Sequence, residues 1–245
     1  MPKFAIVSEG PTDQVVLDRV ISLICESGFE DDVIVNFAQP IRDETDSNKS
    51  EIGGWELVLE YCSTRISDAL ASNDYVVIQI DTDCGEEVNF GVPLTSGGQD
   101  RPFVDLIADV ERLIAGKIGE PLFSKFKERF IFAVSVHSLE SWLLLYFFSD
   151  GRTKNSFEKL QYRFKTKWNY NRFEKEVGCY QLITKKIKQK DLNSFVGGDH
   201  SFGVFLKRLT ELESLTALIP DDADNGRLNS PAPGENIEAR SVDEA

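Results

Sequence analysis

Two histidines and four cysteines are all the soft metal ligands in a chain of 245 residues. The histidines stand far apart, and Cys25, Cys62, Cys84 and Cys179 are scattered with no Cys-x-x-Cys. This excludes a zinc site and a disulfide framework, and the thiols are expected to stay reduced, as in the cytoplasm. No apolar run approaches the roughly 18 residues that a membrane span needs. Met1-Pro2-Lys3-Phe4 leads straight into an apolar strand and Glu9, so no signal peptide is expected and the localisation read here is cytoplasmic. A P-loop, Gly-x-x-x-x-Gly-Lys-Ser/Thr, is missing, and no internal repeat is evident. What remains, 41% hydrophobic and 28% charged, is ordinary for a globular chain and rules out a fibrous or wholly disordered one.

Charge is unevenly spread. The net charge of −14 argues against a general nucleic-acid coat protein. Yet residues 152–190 carry 12 Lys/Arg against 3 Asp/Glu, a balance of +9, which leaves −23 for the rest. From Glu211 onward 9 acidic residues face 2 basic ones, a balance of −7. Such segregation marks a face with a job.

Apolar runs and amphipathic stretches alternate. Residues 3–8, 32–38, 74–80 and 129–136 read as buried strands, rich in Val, Ile and Phe. Residues after Thr12, then 55–70, 103–118 and the stretch from Ser138 to Phe148 read as helices, the last capped by Ser138. Residues 42–54 read as a loop, and residues 84–102 as an exposed loop of the kind that borders a site. Strand–helix repeated four times predicts an α/β fold, Rossmannoid in type. Its central, mostly parallel four-stranded sheet is flanked by helices. The predicted organisation is a catalytic domain over residues 1–150, a basic, aromatic-rich helical extension over 151–219 packed on it, and an acidic disordered tail over 220–245.

Ligands of open parallel sheets bind beyond the carboxyl ends of the strands. Strand one ends at Glu9, strand three at Asp81 and Asp83, and strand four at His137 with Glu140 just after. If the third strand persists, Asp81 and Asp83 share a direction, roughly 6.6 Å apart along it. Asp13 follows Glu9 by one short turn. Carboxylates that close repel by about 4 kcal/mol per pair at about 4 Å and an effective dielectric of about 20. A hard divalent cation, Mg²⁺ or Mn²⁺, relieves that repulsion. Singly, each piece has a blander meaning: Asp-x-Asp is a turn and helix cap, Glu-Gly a turn, and Glu140 a first-turn carboxylate favoured by the helix dipole.

The run Ile6-Val7-Ser8-Glu9-Gly10-Pro11-Thr12-Asp13 resembles the first motif of the Toprim fold, a hydrophobic strand followed by Glu-Gly-x-Thr-Asp/Glu. Val76-Val77-Ile78-Gln79-Ile80-Asp81-Thr82-Asp83 resembles the second, a hydrophobic strand followed by Asp-x-Asp. The resemblance covers residues 1 to about 150. It implies Mg²⁺ held by Glu9, Asp81 and Asp83, with Asp13 as a second-site ligand. His137-Ser138-Leu139-Glu140-Ser141-Trp142-Leu143-Leu144 and Ser201-Phe202-Gly203-Val204-Phe205-Leu206 look like motifs of small stand-alone bacterial Toprim-like proteins, relatives of nucleases of the overcoming-lysogenization-defect type. That likeness adds Glu140 to the expected ligands and leaves Trp142 and Leu143 as core. It also implies a partner ATPase and a role in defence against phage or plasmids.

In the basic segment, cations such as Lys165, Lys167, Lys175, Lys185, Lys186, Lys188 and Lys190 alternate with Tyr162, Phe164, Trp168, Tyr170, Phe173 and Tyr180. Cations grip phosphates and aromatics stack bases. The alternative is a helical cap with a solvated cationic face and aromatic core residues. Lys185 and Lys186 are expected near the site, with Lys186 stabilising a transferring phosphoryl group. His200, in a loop after Gly197-Gly198-Asp199, is assigned no role.

The function expected is a Mg²⁺-dependent endonuclease cutting DNA or RNA, with Glu9, Asp81, Asp83 and Lys186 as its catalytic residues. Two rivals stand beside it: a non-catalytic module that binds an ATPase or nucleic acid, and a phosphohydrolase of small esters.

Overall fold

The computed structural model describes residues 1–29, 32–41 and 53–216. The expected loop at 42–54 lies mostly, and the expected tail at 220–245 wholly, outside them. Strand β1 (Lys3–Val7) leads into helix α1 (Pro11–Gly28), and β2 (Ile34–Gln39) follows. Pro11 at the first turn and Asp13 just inside it suit a helix start, where one N–H is unpaired anyway and the dipole favours an acid. Next come α2 (Trp55–Thr64), α3 (Ile66–Ser72) and β3 (Tyr75–Asp81). Residues 55–70 do not form one helix, because the chain breaks at Arg65. There the Ser63 and Thr64 hydroxyls both donate to the Glu60 carbonyl, at 2.9 and 2.8 Å, competing with the helical ladder.

The loop after β3 holds a two-residue ribbon, β4 (Thr95–Ser96) with β5 (Gln99–Asp100), and buries Phe90 and Val92. Helix α4 (Phe103–Ile118) ends at Gly119, and a further helix, α5 (Glu120–Phe126), precedes β6 (Phe130–Ser135). Helix α6 (Glu140–Phe148) then opens the C-terminal set: α7 (Ser156–Trp168), α8 (Val177–Thr184), α9 (Gln189–Leu192) and α10 (Ser201–Thr216). Ser138 does not cap α6. Its hydroxyl donates instead to the Glu140 carboxylate at 2.6 Å.

The protein is an α/β fold with a four-stranded, all-parallel sheet in the order β2-β1-β3-β6. Side chains alternate between two cores, as period-2 geometry requires. Phe4, Ile6, Tyr75, Val77, Ile131 and Ala133 face a core shared with α1 and the C-terminal helices. Ala5, Val7, Val76, Ile78, Ile80, Phe130, Phe132 and Val134 face the core beneath α2, α3 and α4. Every residue of β3 and β6 is buried, which accounts for their unbroken apolar runs. The C-terminal helices are thus part of the main core: Phe164, Tyr180 and Phe205 join Leu17 and Phe4 there.

The strand order fixes where a ligand can sit. From β1 the chain moves first to β2 on one side, then returns to β3 on the other. The connections therefore diverge at β1 and β3, and a crevice opens beyond their carboxyl ends. No helix among the described residues is long and apolar enough to cross a membrane.

Candidate metal centre

Glu9 and Asp81 meet at that crevice. The Asp81 backbone N–H donates to Glu9 Oε1 at 2.6 Å. The Glu9 N–H donates to Gln79 Oε1 at 3.1 Å, and Gln79 Nε2 donates to Asp81 Oδ1 at 2.8 Å. Gln79 is wholly buried inside β3, so this ring ties the ends of the two central strands together. The Glu9 carbonyl accepts the Gly54 N–H at 2.8 Å, and a Cβ on Gly53 would lie 2.1 Å from the same oxygen. Only glycine lets that segment cross so close.

Three more carboxylates surround the pair. Asp13, buried in the first turn of α1, takes the Gly10 N–H. Asp83 lies past the end of β3, which stops at Asp81, and is exposed. Its N–H donates to the His137 carbonyl at 3.0 Å, so Asp81 and Asp83 do not extend along one straight strand as expected. Glu140, buried at the start of α6, accepts from Ser138 at 2.6 Å and from Tyr180 at 2.5 Å.

Their proton affinities report the crowding. Burial pushes the Glu9 carboxyl up to about 7 against the Asp81 N–H bond, and Asp83 and Glu140 add to the rise. Asp81 is raised well above the usual range by burial and by Glu9, Asp13, Glu140 and Asp83. Asp13 is raised likewise, by burial, Glu140 and Glu9. Asp83, exposed on its outer side, is raised by the partial desolvation of its inner side, with Lys175 opposing.

The lysine at the site is Lys175, not Lys186. Lys175 Nζ sits 3.4 Å from Glu140 Oε1 and 5.3 Å over the Phe157 ring. Its ammonium is held charged: partial burial works against it, and the pull of Glu140, Asp81 and Asp13 outweighs that. Lys186 Nζ instead stands 5.4 Å over the Trp168 ring, and Lys185 is simply exposed. The expected aromatic platform is also corrected. Phe164, Phe173 and Tyr180 are buried core, and of the aromatics named in that segment Tyr162 and Trp168 are the exposed ones.

The donors suit a hard cation in kind: five carboxylates from two strand ends and two helix starts, with one lysine facing them. They are not yet closed around one point. Among the described residues no three His, Cys, Asp or Glu donors stand at ligand spacing. Glu9, Asp81 and Glu140 are instead occupied by N–H and O–H donors of the protein. Glu9 Oε1 and Asp81 Oδ1 would have to exchange those partners for an ion.

The two weaker motifs meet. Trp142 Nε1 donates to Ser201 Oγ at 2.9 Å, and its ring stacks on Phe202 and Phe205 at 5.1 and 5.3 Å. From the sequence Gln79 was assigned no role, and Lys175 and Tyr180 were named only among the cations and aromatics of the basic segment, not as neighbours of the carboxylates. Comparison of the chain with known protein families, with curated proteins and with solved structures found no match.

Proposed function

We propose that the protein is a Mg²⁺- or Mn²⁺-dependent nuclease of Toprim type that hydrolyses phosphodiester bonds. One observation carries this reading. Carboxylates from the ends of β1 and β3 and the starts of α1 and α6 gather at the switch point of a parallel sheet, where the proton affinities of Glu9, Asp13 and Asp81 rise together. Glu9 and Asp81 end adjacent parallel strands, as the motif resemblance requires. Buried like charges have no structural use that apolar residues would not serve better.

Glu9, Asp81, Asp83 and Asp13 would hold the ion, with Glu140 beside them. A divalent cation there supplies phosphate charge neutralisation and a water of lowered pKa. The chain's own groups do the rest. Glu9, whose carboxyl is held up near 7 only while no ion is bound, would stand as a carboxylate beside the ion and accept the proton of the attacking water. Lys175 brings a mobile positive charge to the phosphate oxygens. Tyr180 and Ser138 fix Glu140 in place.

The test is incubation of the purified protein with plasmid, single-stranded DNA and tRNA in Mg²⁺, Mn²⁺ or EDTA. Cleavage is expected with either metal and not with EDTA, and Asp81→Asn should lower it by about a hundredfold or more. Equal cutting by Asp81→Asn, or no cutting of any substrate, overturns the assignment.

A further inference from the structure

Both histidines of the chain, His137 and His200, line a single cavity of about 310 Å³. None of the five carboxylates lines it, yet it adjoins them through His137. His137 is held with φ at 63°, in the left-handed region that few residues other than glycine adopt. Two bonds fix it there. Its N–H donates to Thr82 Oγ1 at 2.8 Å, and its carbonyl accepts the Asp83 N–H at 3.0 Å. The backbone of His137 is thereby anchored next to a proposed metal ligand. Its Nδ1 is buried beyond the reach of solvent and has no partner among the described residues. The ring as a whole is only partly buried and lines the open cavity, so its accessible edge is the part a ligand would meet.

The walls say what kind. Trp142, stacked between Phe202 and Phe205, presents only an edge, and Phe103 and Leu106 line the same space. The Trp142 N–H is committed to Ser201, so the indole is fixed in orientation. Exposed Asp199 stands among the lining residues and offers an acceptor to an exocyclic amino group, whereas Asp100 beside it is engaged by Lys154. The volume is at the small end of ligand pockets, about 300 Å³ and upward. It admits one planar ring with its sugar, not a longer segment.

We propose that this cavity receives a single unpaired nucleobase of the strand whose phosphate lies at the carboxylates. The proposal rests on the nuclease reading and narrows its substrate class to single-stranded or looped nucleic acid. Enzymes that act beside an extruded base hold it in this way, between apolar and aromatic walls with hydrogen bonds to its edge.

The test does not use activity. The isotopically labelled full chain is titrated in EDTA with AMP, GMP, CMP and UMP, and with ribose 5-phosphate as the base-free control. At least one mononucleotide should shift the Trp142 indole and His137 ring resonances saturably, and ribose 5-phosphate should not. Gly151→Phe should weaken that binding by about tenfold or more. Gly151 lines the cavity, its backbone is outside the left-handed region, and an added Cβ meets nothing within 4 Å. His137→Asn removes the ring while keeping a residue that tolerates a left-handed backbone, and should weaken binding as well. Thermal melts check that both variants fold, and either one that folds suffices. The proposal fails if no mononucleotide binds, if ribose 5-phosphate shifts the same resonances as strongly, or if the folded variants bind as the parent does. Metal-dependent cleavage without mononucleotide binding removes the base pocket and leaves the nuclease. Mononucleotide binding without cleavage of any substrate does the reverse.

Discussion

Below about pH 7, in the absence of a divalent ion, Glu9 retains a proton that its unfolded counterpart, with an ordinary value of 4.5, has already released. Asp13 and Asp81 are raised in the same direction. The folded protein therefore binds more protons than the unfolded chain across this window, and its stability falls as pH rises from about 4.5 through about 7. For Glu9 alone the loss is on the order of 3 kcal/mol. Melting in EDTA should drop in temperature between pH 5 and pH 8, and Mg²⁺ should flatten the drop, because the ion replaces the protons. A flat profile in EDTA would contradict the crowded arrangement. Lys175 opposes the same repulsion, so Lys175→Met should steepen the decline and enlarge the gain on adding Mg²⁺. A variant that melts as the parent does at every pH would show that Lys175 is only a surface cation.

The elements carry these residues, and the sequence announced them unevenly. Strands β1, β3 and β6 were legible because strands buried on both faces must be continuously apolar, β2, only partly buried, showed through its Ile, Val and Phe, and the Glu-Gly and Asp-x-Asp turns after β1 and β3 marked the candidate site. The break at Arg65 was not, since it arises from hydroxyl groups competing for the Glu60 carbonyl within an otherwise amphipathic stretch. Lys175 was hidden for another reason. The turn between α7 and α8 brings it to Glu140 across 35 positions, a separation no spacing rule covers. The segment before α2 was read as a mere loop, yet its end holds β1 in place. Gly53→Ala would set a methyl carbon 2.1 Å from the Glu9 carbonyl oxygen, a backbone atom that cannot swing aside. The variant should lose about 1–3 kcal/mol of stability, the usual scale of such overpacking, and lose metal binding as Glu9 shifts. Unchanged denaturant and Mg²⁺ titrations would mean that this segment has another way across.

For the whole molecule, the charge segregation acquires a shape once Phe164, Phe173 and Tyr180 of the basic segment are seen to point inward. Phe164, Phe173 and Tyr180 fill the core shared with α1, and the cations between them are left on the outside. Lys165, Lys167, Lys185, Lys188 and Lys190 are exposed and have no carboxylate partner among the described residues. The same segment that delivers Tyr180 and Lys175 to the carboxylates thus presents a positive outer face, while the rest of the chain carries −23. Phosphate backbone should be repelled elsewhere and gripped here, by charge rather than by base stacking. Reversing Lys185, Lys186, Lys188 and Lys190 to Glu should weaken binding of an oligonucleotide, measured by fluorescence anisotropy in EDTA over a salt series. For each phosphate that the variant no longer neutralises, the slope of log K against log salt should shrink by about 0.9 on duplex DNA or about 0.7 on a single strand, because counterion release follows charge alone. An unchanged slope would mean that these lysines only keep a helical face solvated, and that any strand reaching Glu9 and Asp81 is held by the cavity and carboxylates themselves.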